Sequence, residues 1–342
     1  MTRVYFATNR NPVPTGVPGN FGTDLNPSPS MLSYGIVDIA STEEEENLGP
    51  ENVQISNIST AGLIDEDIEA IMDGPDHLLL YIHGFDYRFR EAAMRSAWLS
   101  EWFAGATPSV EASFMFFSWP SLGSLSREAY VTDMDRASRS SGAIRMWLLW
   151  LFELIGEFRD AKGENGRVTL LAHSMGNSAL AHALPITVGT GPGLRPLPEV
   201  EGIFDAVILA ASDVEADALS RPDRLALLEH VARYTGVYYN QQDIPLMTMS
   251  RWINGVARLG LDGPPDKPAF ADRSFGFINC SAANPNNLDQ PVDPERHQYY
   301  RLIPEVRDDI CGTMTGLEAS ALPNRQFRSR LNYYRLNLRR RR

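Results

Sequence analysis

Residues 167–180 read RVTLLAHSMGNSAL, and this stretch decides how the fold is interpreted. Its first half is a run of apolar and β-branched residues, which is typical of a strand buried on both faces of a parallel sheet. The run stops at Ser174, and a helical pattern begins directly after it. The residues two places before and after the serine, Ala172 and Gly176, are small. The pattern predicts a tight strand-to-helix turn with Ser174 at its apex.

A turn of this kind would make Ser174 a candidate nucleophile. A serine hydroxyl reacts only when one group removes its proton and others stabilise the oxyanion that forms. The turn lifts the side chain clear of the sheet and directs N–H groups at the helix start towards the developing charge. Ala172 is a mild departure, because the usual signature has glycine at both flanking positions. The alternative is a turn serine with a structural role only.

Strand and helix patterns alternate from residue 76 onward. Apolar runs typical of buried strands occupy residues 77–84, 113–120, 167–174, 205–212, 235–240 and 275–282. Helical patterns lie between them at residues 89–104, 136–160, 175–184 and 221–234. This alternation predicts a parallel sheet with right-handed crossovers. We therefore predict one α/β domain over residues 1–342, with a central, mostly parallel sheet flanked by helices. Residues 1–75 form an extension that adds N-terminal strands.

Composition limits the possible partners. The chain has 342 residues and a net charge of -12, which argues against a nucleic-acid surface. Two cysteines do not form a disulfide framework, and no apolar segment has the length of a signal peptide core or a membrane span. We expect a cytoplasmic protein without a membrane partner. Four consecutive glutamates within residues 41–51 indicate a solvated loop, and the arginines at the end of residues 331–342 indicate a flexible basic tail.

The general base must be one of six histidines. In a fold of this topology the acid and then the histidine follow the serine along the chain. Two histidines precede the serine, one adjoins it and two lie in predicted helices, which favours structural roles for His77, His83, His173, His182 and His230. His297 follows the last predicted strand and its Pro/Asn-rich loop. We predict that His297 is the base.

Two aspartates compete for the role of the acid that orients this histidine. Asp213 and Asp243 both stand just past predicted strands, near the carboxyl edge of the sheet, where sites of open α/β sheets form. We favour Asp243, because the later strand is the commoner location, and keep Asp213 as the alternative. If Asp213 is not the acid, we expect it to cap a helix or fix a loop.

The remaining site residues follow from the strand ends. Two N–H donors are needed for an oxyanion, and we expect them at Met175, after the nucleophile, and at Phe85, after the His83-Gly84 turn. Aromatic and methionine side chains near these strand ends are candidates for substrate binding: Tyr87, Trp119, Tyr130 and Met247. No cluster has metal-ligand spacing, and no Gly-rich phosphate or dinucleotide motif is present, so we expect neither metal nor cofactor.

With these residues placed, the sequence resembles the α/β-hydrolases, and more narrowly a bacterial hydrolase family of unknown function. The resemblance runs from residue 3 to about residue 307 through VYFATNR, LLLYIHGFDYRFREA, FFSWPSLGSLSREAYVTDMDRASRS, LLAHSMGN, VILAASDVEAD, VYYNQQDIPLMTMS and HQYY. In that family Asn or Ser often precedes the aspartate of the fifth-strand block, whereas Gln241 and Gln242 do so here. Asp243 stays in register, but Asp213 remains possible. The resemblance implies the hydrolase fold and a Ser-His-Asp triad.

The predicted function is hydrolysis of carboxylic esters by a serine esterase, with a small-molecule ester as substrate. An acyltransferase or an amidase with the same triad is the first alternative. A non-catalytic binding protein of the same fold is the second, and the order of Ser174, Asp243 and His297 along the chain argues against it. One fold serves many chemistries, so the natural substrate, the acyl chain and the oligomeric state do not follow from the sequence.

Overall fold

The computed structural model describes residues 1–13, 21–26, 31–40, 52–185, 201–271, 273–283 and 293–337. The acidic run at 41–51 and the arginines at 339–342 lie outside these residues, as do the expectations made for them. Within the described ranges, no helix combines the length and the hydrophobicity needed to cross a bilayer.

Six strands lie in the six apolar runs of the sequence, and the remaining strands are N-terminal strands or short C-terminal strands that no run marked. Their bounds are β1 Thr2–Thr8, β2 Arg10–Pro12, β3 Phe21–Leu25, β4 Ser33–Ile39, β5 Val53–Ser59, β6 His77–Ile82, β7 Ala112–Ser118, β8 Arg167–His173, β9 Ala206–Ala210, β10 Thr235–Tyr239, β11 Phe275–Asn279, β12 Arg325–Arg328 and β13 Tyr333–Leu336. In the described part of the chain, β2 and β3 form a separate hairpin and eleven strands form one sheet.

The large sheet has the order β12-β13-β11-β10-β9-β8-β6-β7-β1-β4-β5. All neighbours from β13 to β1 run parallel, and only the two margins are antiparallel, at β12–β13 and at β1–β4–β5. The predicted α/β-hydrolase fold with extra N-terminal strands is thereby confirmed. Because β8 lies in the middle, between β6 and β9, the residue that follows it is at the centre of the carboxyl edge.

Helices cover both faces of the sheet. They are α1 Asp65–Asp73, α2 Phe89–Ala104, α3 Arg127–Arg139, α4 Ser141–Lys162, α5 Met175–Ala183, α6 Leu228–Val231, α7 Arg251–Asn254, α8 Leu259–Asp262, α9 Tyr299–Leu302 and α10 Pro304–Met314. One apolar core lies beneath α1, α3, α4 and α5, and it includes Trp147 and Leu180. The other lies beneath α2, α9 and α10, and it includes Phe103 and Ile310. Burial on both faces explains the continuous apolar runs of the central strands.

Two helix predictions need correction. The helical pattern at 136–160 is divided, because α3 ends before Ser140 and α4 begins after it. The Ser140 hydroxyl donates to the Arg136 carbonyl at 2.8 Å and accepts from the Asn9 side chain at 3.0 Å, which ties the break to the end of β1. Residues 221–234 form turns and only the short α6, and Leu225 and Leu228 are both buried in the core.

The segment after β10 also differs from a regular amphipathic helix. Residues Leu246–Ser250 form a single π-helical turn, which α7 continues until Gly255 ends it in a left-handed conformation with φ of 68°. A wide turn of this kind changes the direction of successive side chains relative to an α-helix. This change affects which side chains of the segment face the carboxyl edge of the sheet.

The prediction of a flexible tail over residues 331–342 is wrong for the first half of that range. Residues Tyr333–Leu336 form β13, which pairs parallel to β11 through Ile278 and Asn279. Of residues 331–342, those from 338 onward lie outside the described part of the chain. Short polar strands such as β12 and β13 carry little periodic signal, because pairing with a neighbouring strand stabilises them more than their own pattern does.

Candidate active site

The turn at Ser174 has the conformation that the sequence predicts. Ser174 has φ of 52° and ψ of -124°, a backbone region that a residue with a side chain adopts only when the surroundings enforce it. Close packing enforces it here, because a Cβ on Gly176 would lie 2.5 Å from the carbonyl oxygens of Ile82 and His83. Only glycine at 176 lets the start of α5 approach the end of β6 so closely.

Three side chains from separate parts of the chain meet at this turn. The Ser174 hydroxyl lies 2.9 Å from Nε2 of His297, and Nδ1 of His297 lies 2.7 Å from Oδ2 of Asp243. The other oxygen of Asp243 accepts the Leu246 N–H at 2.9 Å. With the carboxylate accepting from Nδ1, the neutral ring presents its lone pair at Nε2 to the serine hydroxyl. This arrangement allows His297 to take a proton from Ser174 and Asp243 to stabilise the imidazolium that forms.

Burial shapes the electrostatics of this group. Ser174 and His297 are each 6% exposed, and Asp243 is fully buried. Burial opposes the charged imidazolium, but the charge of Asp243 and its hydrogen bond outweigh this effect, so the pKa of His297 is raised above its usual 6.5. Burial also raises the pKa of Asp243, against the stabilising contacts of its carboxylate with His297 and Leu246.

Asp213 lies on another wall of the site and contacts other partners. Its carboxylate accepts the Tyr130 hydroxyl at 2.7 Å and the hydroxyl of Ser250, and it pairs with Nε of Arg258 at 3.4 Å. Its backbone N–H donates to the Ser174 carbonyl at 3.1 Å. The structure thus brings Asp243 to His297, while Asp213 joins Tyr130 to the segment after β10.

The loop after β6 packs directly on the nucleophile. We call residues 84–88 the oxyanion loop, after the role expected of Phe85. A Cβ on Gly84 would lie 3.0 Å from the Cβ of Ser174, which shows how near the two backbones are. Phe85 lines the same cavity as Ser174. Met175 is the first residue of α5, so its N–H is among those without an acceptor inside the helix. Of the residues expected to supply the two N–H donors, Met175 directly follows Ser174 and Phe85 lines the same cavity.

A cavity of about 510 Å³ opens beside Ser174 and His297. Of the predicted binding residues, Tyr87 and Tyr130 line it and two do not. Trp119 is fully buried behind the site, where its ring stacks on His83 at 5.1 Å and its N–H donates to the His83 carbonyl at 2.8 Å. Met247 is 45% exposed, and the π-helical turn directs Met249 towards the cavity in its place. The expectations for Trp119 and Met247 are corrected accordingly.

Several lining residues carry no signal that sequence reasoning could use. They come from the first turns of α2, from the segment after β10 and from the residues around His297: Met94, Arg95, Ile244, Leu246, Gln298 and Arg301. The one signal in the sequence is position along the chain. A helix that starts directly after a site loop, as α2 does after the oxyanion loop, is expected to contribute lining residues. In the described ranges no group of three His, Cys, Asp or Glu side chains is arranged to hold a metal ion.

The two histidines nearest to the site have structural roles. His173 stacks on Tyr300 at 4.5 Å, and its Nε2 donates to the His297 carbonyl at 3.3 Å. Complete burial lowers the pKa of His173 well below 6.5, so the ring is neutral. His83 donates from Nδ1 to the Gly84 carbonyl at 2.8 Å, and burial together with the nearby Arg10 charge lowers its pKa to about 3. Both rings support the backbone around Ser174 and His297.

The parallel sheet, the turn at Ser174 and the cavity at the carboxyl edge define an α/β-hydrolase. Residues 63–308 match the model of a family described as alpha/beta hydrolase of unknown function (DUF900), and the chain belongs to this family. A search of curated proteins gave no match.

Two solved structures resemble parts of the chain. One is the siderophore hydrolase EstB from Aspergillus fumigatus, with 16% identity over 63% of this chain and 51% of that one, at a TM-score of 0.27. The other is the phospholipase PlaB from Legionella pneumophila in complex with thio-NAD, with 12% identity over 54% of this chain and 43% of that one, also at 0.27. This chain therefore spans about half the length of each.

Proposed function

We propose that this protein is a serine esterase that cleaves small-molecule carboxylic esters through Ser174, His297 and Asp243. The observation that carries the proposal is the continuous hydrogen-bonded chain of 2.9 Å and 2.7 Å that links these three side chains beside the cavity. Nucleophile, base and orienting acid are within the distances that proton transfer requires.

The reaction would proceed through an acyl-enzyme. Ser174 Oγ attacks the ester carbonyl carbon while Nε2 of His297 takes its proton, and the N–H groups of Phe85 and Met175 hold the oxyanion. Collapse of the tetrahedral intermediate breaks the bond to the alcohol oxygen, which receives the proton from His297. A water molecule then attacks the acyl carbon and gives a proton to His297. The second collapse releases the acid and returns that proton to Ser174. Asp243 holds the ring and stabilises the imidazolium in both steps.

Esters are favoured over amides for a chemical reason. An alcohol leaves a tetrahedral intermediate more easily than an amine does. The walls of the cavity support a substrate with an apolar part, since Phe85, Leu125, Ile244, Leu246 and Met249 face it. The amidase and the acyltransferase remain the alternatives, because the same three side chains serve all these reactions.

Labelling with a fluorophosphonate tests the mechanism. The wild type should react at one serine, and Ser174→Ala should not react. Ser178→Ala is the matched control, because Ser178 lies one turn further along α5, and this variant should react like the wild type. Equal labelling of the wild type and Ser174→Ala, or of neither, would exclude the mechanism.

Competition with water separates the esterase from its alternatives. A wild-type reaction with a p-nitrophenyl ester should yield the free acid even when millimolar alcohols or amines are added. Dominant formation of a new ester or amide would assign an acyltransferase. Faster turnover of the matched anilide than of the ester would assign an amidase.

A further inference from the structure

Arg10 is a fully buried cation that contacts three parts of the chain near the site. It is the first residue of β2, with one residue between it and the end of β1, and its side chain has no exposed surface. Nε donates to the Ser118 hydroxyl at 2.8 Å, and Nη1 donates to the carbonyls of Gly22 and Ser121 at 3.1 Å and 3.2 Å. Nη2 donates to the Tyr87 carbonyl at 2.7 Å, the shortest of the four bonds. Arg10 therefore joins the N-terminal hairpin and the end of β7 to the oxyanion loop.

Tyr87 is held on both sides of its backbone. Its carbonyl accepts from Arg10, and its N–H donates to the Ser121 hydroxyl at 3.1 Å. The Ser121 hydroxyl in turn donates to Asp133 at 2.6 Å, and this carboxylate also accepts the Leu122 N–H at 3.0 Å. Asp133 is fully buried, so the contacts form in surroundings where hydrogen bonds with charged groups are strong. The SWPS motif at residues 118–121 and Asp133 further along the chain supply these contacts to Tyr87.

The oxyanion loop needs support because its backbone is constrained. Asp86 has φ of 69°, in the left-handed region that few residues other than glycine, asparagine and aspartate adopt. Gly84 lies so near to Ser174 that a displacement of the loop would change the distance between Phe85 and the nucleophile. Removal of the contacts at Tyr87 would let the loop relax away from this conformation.

The burial of Arg10 has a cost that the fold has to offset. Burial lowers the pKa of Arg10 to about 9, against the charge of Asp133, so the guanidinium stays charged at neutral pH. A buried charge is retained only where its hydrogen bonds are satisfied. The five N–H groups of arginine suit this position, since three separate backbone segments present oxygens to one side chain.

We propose that Arg10 is a positioning residue, which with Ser121 fixes Tyr87 and thereby places the Phe85 N–H beside Ser174. This inference rests on the proposed esterase function. Residue 10 lies outside residues 63–308, which match the family model, so the N-terminal segment would complete the site. Because an oxyanion donor acts mainly in the transition state, loss of positioning should lower kcat and leave KM nearly unchanged.

The test compares Arg10→Gln, Arg10→Lys and Ser121→Ala with the wild type of the full chain. Active sites are counted by fluorophosphonate labelling to completion, so that loss of folded protein does not enter kcat. Arg3→Gln is the matched control, because Arg3 lies on the preceding strand, β1, and pairs with Asp38 at the surface at 2.9 Å. Substrate is p-nitrophenyl butyrate, and a trifluoromethyl ketone reports on oxyanion binding.

We expect kcat per labelled site to fall about 10-fold to 100-fold in Arg10→Gln, somewhat less than the loss of a whole oxyanion donor. KM should change by less than about threefold, and the ketone should bind more weakly in proportion to kcat/KM. Arg10→Lys should recover part of the loss, since lysine keeps the charge and can reach Tyr87. Arg3→Gln should match the wild type.

A normal kcat per labelled site in Arg10→Gln, with only a lower melting temperature, would overturn the inference. If Arg10→Gln fails to fold, Ser121→Ala decides, since it releases the Tyr87 N–H and the bond to Asp133 while Arg10 stays in place. An unchanged kcat in that variant would overturn the inference equally. A wild type that neither labels nor hydrolyses the ester would overturn the proposed function, and this inference with it.

Discussion

Burial and the Asp243 carboxylate act in opposite directions on His297, and the carboxylate has the larger effect. The imidazole is therefore a stronger base than histidine in water, although it is almost entirely buried. A base must be neutral to accept a proton from Ser174. The activity should consequently depend on pH through the pKa of this residue.

We expect kcat/KM for a neutral ester to rise with pH and to reach half its maximum above pH 6.5. The reason is that His297 loses its proton at a pKa raised above that ordinary value. Measurement of kcat/KM from pH 5 to 9 checks this. Asp86 also lines the cavity, and burial raises its pKa to about 6, so Asp86→Asn is the control. Loss of the pH dependence in that variant would assign the titration to Asp86.

The two candidate acids should respond differently to removal of their charge. Asp243→Asn should lower kcat about 10³-fold to 10⁴-fold, because the imidazole loses the acceptor that sets its tautomer. It should also shift the rise in kcat/KM to lower pH, since the charge that raises the pKa of His297 is gone. The measurement is kcat per fluorophosphonate-labelled site across this pH range.

Asp213→Asn is the matched comparison. It should lower the free energy of unfolding by about 3 kcal/mol, because Arg258 would lose its partner in a pair whose side chains are 5% and 4% exposed. Its kcat per labelled site should stay within about tenfold of the wild type. A larger loss of kcat in Asp213→Asn than in Asp243→Asn would reverse the assignment of the acid.

Among the elements, the junction of β8 and α5 sets the geometry of the site. The start of α5 packs on the end of β6, and the oxyanion loop follows β6 directly. One close backbone contact therefore positions both the nucleophile and the loop opposite it. Small residues in the sequence at this junction reflect packing between two elements as well as the turn itself.

Gly176→Ala should lower the free energy of unfolding by about 1–3 kcal/mol and reduce activity, because its Cβ would meet two carbonyl oxygens at 2.5 Å. Gly156→Ala is the control, since Gly156 is exposed within α4 and a Cβ there meets nothing within 4 Å. It should raise stability by about 0.5–1 kcal/mol, as helix propensity predicts. Urea unfolding with ester turnover measures both effects. Equal stability of the two variants would contradict the packing argument.

At the scale of the whole molecule, the C-terminal strands close the sheet beyond β11. Arg325 of β12 donates two bonds of 2.8 Å to Asp309 of α10, and its side chain is 1% exposed. It also donates to the hydroxyls of Tyr238 and Thr313, at 3.2 Å and 2.9 Å. None of these four side chains lines the cavity. The cluster therefore joins the C-terminal strands to the rest of the sheet and to α10, and it lies outside the cavity beside Ser174.

Arg325→Met should lower the free energy of unfolding by about 3–5 kcal/mol, because it leaves the buried Asp309 without its cationic partner. The kcat per labelled site should not change. Arg330→Met is the control, since Arg330 is exposed in the same terminal segment and should alter stability by less than about 0.5 kcal/mol. Chemical unfolding checks both variants. A loss of kcat without a loss of stability would contradict this separation.

The sequence by itself determined the parallel sheet, the turn at Ser174 and the candidates Ser174 and His297, because strand periodicity, small residues at a turn and order along the chain are local properties. Only the tertiary structure decided which aspartate reaches His297. Asp213 and Asp243 both follow adjacent parallel strands, so the pattern places both at one edge, and the path of the chain between β10 and residue 297 selects one.

The same reason explains the other corrections. Trp119 ends an apolar strand, and the pattern does not say whether its ring faces the cavity or packs on His83. The pairing of β13 with β11 and the reach of Arg10 to Tyr87 depend on residues far apart in the chain. Such contacts arise when distant segments pack together, and a local pattern carries no record of them.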